Sequence, residues 1–104
     1  MSVYIAARTT VTDKEKYENE FLPAVMKVHE AHGGKIIAAG YIQYLVGAPA
    51  EDGARVTIIK CPDEAHARAL FEEVKPLMAA MQCTTNPRIS IVPGIPVAAA
   101  AAAE

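Results

Sequence analysis

Two stretches of the chain repeat their apolar residues with the period of a helix, and short β-branched runs fence each of them on both sides. That order limits the possible folds more than any other property. In the first stretch, steps of about 100° per residue put Tyr17, Phe21, Ala24, Val25, Val28 and His32 on one stripe, with Lys16, Asn19, Glu20, Lys27 and Glu30 opposite. In the second, Ala67, Leu70, Phe71, Val74 and Met78 recur at the same spacing. The ends carry matching signals. Thr12 or Asp13 can cap the first helix, with Glu15 and Glu18 near its positive end, and Asp63 after Pro62 can cap the second. Pro23 and Pro76 lie inside the two patterns and predict a kink or a break at each. Gly33 supplies a left-handed residue to end the first helix, and Gly34 frees the chain to reverse.

The flanking runs read as strands: VYIAART (residues 3–9), KIIAAGYIQYLVG (35–47), RVTIIKC (55–61) and RISIVPG (88–94). The second run is long for one strand, and Gly40 near its middle predicts two halves joined at a bulge or bend. GAPAEDGA is a turn by its Pro, Asp and Gly content, so the second and third strands form an antiparallel hairpin. The order is strand, helix, strand, strand, helix, strand. With right-handed crossovers it predicts an α+β fold, a ferredoxin-like βαββαβ sandwich with a four-stranded antiparallel sheet and two helices on one face. A single domain is expected over residues 1–96. The Ala-rich tail VAAAAAAE, residues 97–104, is too short and unpatterned to hold a helix and is expected to be disordered.

Composition narrows the function. At 52% hydrophobic and 21% charged residues, the 104-residue chain has the make-up of one globular domain. A formal charge of -2 with ten scattered basic residues argues against an electrostatic nucleic-acid binder. No apolar run reaches the roughly 20 residues that span a bilayer, and SVYIAART lacks the basic head and apolar centre of a secretory signal, so the expected location is cytoplasmic, with no membrane partner. Cys61 and Cys83 stand outside any zinc-binding spacing and are expected to be reduced packing groups. The strands carry apolar side chains on both faces, whereas two helices cover only one. The uncovered face predicts a homodimer with the sheets packed together into a barrel.

The segments YIAARTTVTDKEKYENEFLP, HGGKIIAAG, VTIIKCPDEAHARALFE and RISIVPGI together resemble the dimeric α/β barrel superfamily, and most of all domain-of-unknown-function family 1330. The resemblance covers about residues 3 to 95. It implies a homodimer with a cavity between sheet and helices in each subunit. Relatives in the wider superfamily include cofactor-free monooxygenases, lactone isomerases, polyketide cyclases, haem-binding members and proteins with no known reaction. This chain departs from the pattern in three places. Ala39 stands where relatives often carry an arginine that would hold an anion, Tyr41 replaces a glycine, and the corner aromatic is His32.

The candidate catalytic residues are His32, Arg8 and Tyr44. His32 lies near the centre of the apolar stripe, where a neutral imidazole facing a pocket can take or give a proton; as the last residue of the helix it can equally bond a terminal carbonyl. His29 lies at the edge of the stripe and reads as solvated. Arg8 shares a strand face with Tyr4 and Ala6 and needs a carboxylate or a ligand anion. Tyr41 and Tyr44 should face opposite sides, so that only one reaches the pocket. Tyr4, Tyr17, Phe21, Tyr41, His66 and Arg88 are candidate substrate contacts, with His66 also a cap neighbour of Asp63. No metal-ligand spacing and no nucleotide-binding motif occurs, so neither metal nor cofactor is expected. The expected function is a cofactor-independent enzyme of isomerase, cyclase or monooxygenase type, acting by proton transfer on a small aromatic or polyketide-like carbonyl compound. The alternative is a non-catalytic dimeric small-molecule-binding or stress-associated module.

Overall fold

The computed structural model describes residues 2–93; the expected domain end at residue 96 and the Ala-rich tail lie outside them. Strand β1 (Val3–Val11) leads into α1 (Lys14–Lys16), a π-helical turn (Tyr17–Phe21) and α2 (Leu22–Ala31). After β2 (Lys35–Tyr41) and β3 (Ala54–Cys61) come α3 (Glu64–Met81) and β4 (Thr84–Val92). The sheet runs β2-β3-β1-β4 with every pair antiparallel. The chain therefore forms the expected ferredoxin-like sandwich.

Caps begin both helical segments where their side chains allow. The Asp13 carboxylate accepts the Lys16 backbone N–H at 3.1 Å, and Asp63 accepts that of His66 at 2.8 Å. The two prolines disturb their helices unequally. Pro23 has no N–H to offer residue 19, and its ring would crowd that carbonyl in an α turn. The turn ahead of it is π-helical, with the Leu22 N–H reaching back to the Tyr17 carbonyl. Helix α3 runs unbroken through Pro76, which is exposed, so water can satisfy the carbonyl the proline leaves free.

Two strands also differ from the sequence reading. The register of β2 on β3 shifts between Ile36 and Ala38, which puts the bulge at Ile37, while Gly40 stays paired with Val56. β2 ends at Tyr41 because β3 starts at Ala54. The Ile42 N–H still reaches the Ala54 carbonyl at 3.0 Å, but nothing lies beyond to pair with a second half. β4 begins at Thr84, earlier than expected. It passes Pro87 through a register shift opposite Thr9, with Asn86 at φ 51°, an irregularity an edge strand tolerates.

Side chains alternate across β1. Val3, Ile5 and Val11 are buried with Ile59 and Cys61 beneath Phe21, Val25, Ala67, Leu70 and Val74. Cys61 and Cys83 are free thiols in this core, and burial pushes both upward in pKa. Gly53 locks the loop before β3 onto the end of β1. Its carbonyl accepts the Val11 N–H at 2.8 Å, its φ is +87°, and an added Cβ would lie 2.3 Å from the Val11 carbonyl oxygen. Gly53→Ala is expected to cost about 3 kcal/mol, combining left-handed strain with overpacking, seen as a lower denaturant midpoint at an unchanged m-value.

Candidate functional site: a cavity between sheet and helices

Three cross-strand rows floor the space under the helices. The innermost joins Ile36, Ile59, Ile5 and Ile91, the next Thr57, Ala7 and Ile89, and the outermost Tyr41, Arg55 and Thr9. The polar content rises along that series. The opposite wall is carried by Tyr17, Phe21, Val25 and His29, four residues apart in sequence and therefore stacked along one face. They enclose a cavity of about 60 Å³, room for a few waters or a small organic group, which Leu70, Phe71 and Val74 of α3 close.

His29 is the lining group of this cavity that titrates near neutrality. It is 4% exposed, its Nδ1 has no hydrogen-bond partner, and burial alone pushes its pKa below the ordinary value. It is therefore neutral at pH 7, with one buried ring nitrogen unpartnered among the described residues. A helical wheel with a uniform step leaves His29 at the edge of the stripe. The π turn takes up one more residue than an α turn, rotating everything after it by up to about 100° and carrying His29 to the centre. A proline early in the helix was the available signal.

His32 stands elsewhere. It caps α2 with φ −110°, and Gly33 follows at φ 70°. Having left helical geometry, its ring turns to α3, where Nε2 lies 2.9 Å from Glu73 Oε1 without the alignment of a hydrogen bond. It does not line the cavity.

Tyr17 and Phe21 do line it, their rings stacked with centroids 5.4 Å apart. The Tyr17 hydroxyl accepts a hydrogen bond from Arg55 Nε at 3.0 Å, which leaves its own proton to donate. The Arg55 guanidinium lies 5.2 Å from the Tyr17 ring centre and 5.3 Å from that of Tyr41, and Lys14 Nζ lies 5.0 Å from Tyr41. Tyr41 thus faces the helix side of the sheet but serves as a platform for cations outside the cavity. His66 is exposed, its Nδ1 2.7 Å from Asp63 at the start of α3.

The other sequence candidates gather on the open face. Arg8 donates to Glu51 Oε1 at 2.7 Å and to the Tyr44 hydroxyl at 2.9 Å, and the Thr10 hydroxyl donates to the same Glu51 oxygen at 2.9 Å. The Arg8 hydrogen bond is the main reason the Glu51 carboxyl is pulled down to about 2. Arg88 pairs across from Arg8, and Tyr4 pairs with Lys60 and Val92 on the same face. The structure brings Arg8, Tyr44 and Arg88 together around one groove, and separates them from His32 and from the cavity by the thickness of the sheet. Glu51, His29 and Arg55 are the residues the sequence reading did not place in either group.

The burial of neutral His29 sets a pH dependence. The unfolded chain protonates this histidine near its ordinary 6.5 and the folded chain at lower pH. Stability is thus expected to fall as pH drops through about 6.5 and to level off below the folded pKa. His29→Leu should flatten that slope in thermal melts between pH 7.5 and 5.5, and an NMR titration should show the His29 ring titrating below 6.5.

The comparison with curated proteins gives no match. Among solved structures, the fold is similar to a protein of unknown function from Rhodopseudomonas palustris, with TM-score 0.69 and 16% identity, over 91% of this chain and 84% of that one. It is also similar to SnoaB, a cofactor-independent oxygenase from Streptomyces nogalater, with TM-score 0.63 and 13% identity over 90% and 93% of the two chains. A conserved protein from Methanosarcina mazei Go1 aligns with TM-score 0.54 and 19% identity over 91% and 94%. At these identities the likeness is one of fold. Residues 2–95 match the model of the domain of unknown function DUF1330, and the chain belongs to that family.

Proposed function

We propose that this chain is a small cofactor-independent enzyme that moves a proton on a carbonyl compound, aromatic or polyketide-like, bound between sheet and helices. The observation that carries the reading is His29, a buried neutral imidazole with an unpartnered ring nitrogen on the wall of an apolar cavity. Such a group can take a proton from an acidic C–H and return it to a neighbouring atom, and the apolar surroundings favour the return because they disfavour the imidazolium. The lining hydroxyls of Thr9, Thr57 and Tyr17 are available to bond a carbonyl or enolate oxygen. SnoaB, which shares the fold, is a cofactor-independent oxygenase, and this supports the class of chemistry. In this reading His29 takes the role that the sequence suggests for His32.

Arg8, Tyr44 and Arg88 then belong to a homodimer interface through the open face. Tyr4, Val56, Ile58 and Val92 share that face, and Leu45 and Val46 stand fully or almost fully exposed in the loop after β2. The non-catalytic alternative rests on the small volume of the cavity and on His29 being the one lining group that titrates near neutrality.

Two measurements test these statements. A thermal-shift panel of small aromatic, lactone and polyketide-like acids should yield a ligand, and the wild type should exchange that ligand's acidic C–H with solvent deuterium. His29→Gln is expected to keep binding and slow exchange by roughly 100-fold or more, while His32→Gln leaves the rate unchanged. Binding without exchange would establish the non-catalytic module instead, and exchange insensitive to His29 would overturn the role given to that residue. For assembly, sedimentation should show a dimer that Ile58→Glu converts to monomer by placing a charge in the apolar face; a monomeric wild type overturns the interface.

A further inference from the structure

Beside Tyr17, just outside the lining of the cavity, stand two cations with no carboxylate to meet them. Neither Arg55 nor Lys14 forms an ion pair among the described residues, whereas Arg8 is engaged by Glu51 and Arg68 by Glu64. Arg55 is half-buried in the outermost row of the sheet, where no carboxylate among the described residues offsets the lost hydration of its guanidinium. It is nevertheless held firmly. Nε is spent on the Tyr17 hydroxyl at 3.0 Å, and the rings of Tyr17 and Tyr41 lie 5.2 and 5.3 Å from its carbon. What this leaves is the pair of terminal nitrogens, in the fork that matches a carboxylate. Lys14, on the shared Tyr41 ring, adds a second positive charge.

The lining of the cavity runs along the helix. Tyr17 and His29 both line it, and the twelve residue steps from one to the other span about 18 Å of helix. About 60 Å³ spread over such a length is a slot, wide enough for one chain or the edge of a flat ring.

We infer that the ligand is a slender apolar carboxylic acid, its carboxylate on Arg55 and Lys14 at the Tyr17 end and its apolar body lying along Phe21 and Val25 toward His29. The inference rests on the reading of the cavity as the ligand site and adds the charge and shape of what enters. Tyr17 is a positioning residue here, orienting the Arg55 fork through its hydroxyl.

Calorimetric titration of the full chain with octanoate, octan-1-ol and acetate tests it. Octanoate is expected to bind at least tenfold tighter than octan-1-ol and far tighter than acetate. Arg55→Met, which keeps the stem against the tyrosine rings, should weaken octanoate tenfold or more and leave octan-1-ol unchanged, and Arg55→Lys should recover part of the loss. Octan-1-ol binding as well as octanoate, or octanoate unaffected in Arg55→Met, overturns the acid anchor while leaving the cavity as a site. Acetate binding as well as octanoate overturns the slot. Binding of none of the three overturns both the inference and the cavity reading beneath it.

Discussion

Pro23 has no N–H to give, and the wall of the cavity is arranged around that deficit. The turn ahead of it opens into π geometry, the extra residue is absorbed, and Tyr17, Phe21, Val25 and His29 come into line over the sheet. Without that adjustment the four residues would drift around the helix and His29 would point toward its margin. A buried neutral imidazole is tolerable there only because it carries no charge, and its unpartnered nitrogen is the kind of unsatisfied group that packing alone does not explain.

The sheet divides the polar side chains into two populations. On the open face, Arg8, Thr10, Tyr44 and Glu51 satisfy one another and pin the loop after β2 to the central strand. On the helix face, Arg55 meets aromatic rings and a phenol and no carboxylate. The first arrangement is closed in charge and reads as structural. The second leaves a positive charge beside Tyr17, next to an apolar cavity, and this is why the two clusters receive different roles.

Much of the fold was legible because it rests on local chemistry. Asp13 and Asp63 cap the helices from short range, Gly33 ends α2 in the left-handed region, and the alternation of periods orders the elements. The candidate site was less legible. Tyr17 and Phe21 reach the cavity as the stripe implied, while Arg8, Tyr44 and Arg88 cluster on the far side of the sheet. Side-chain alternation could place Arg8 with Tyr4 and Ala6, but not say which of the two faces the helices would cover.

The sequence by itself determined the element order, the caps and the apolar periodicities, all of which act over a few residues, and these suffice for the βαββαβ sandwich. Only the tertiary structure decided which histidine enters the cavity, where β2 ends and what Arg55 meets. Each depends on contacts between segments far apart in the chain. A one-residue change of helical phase carries His29 from the margin of the stripe to its centre, and the start of β3 at Ala54 sets how much of β2 can pair. The Arg55 guanidinium finds Tyr17 across 38 positions of sequence because antiparallel pairing brings the outermost row of the sheet beneath the first turns of the helix.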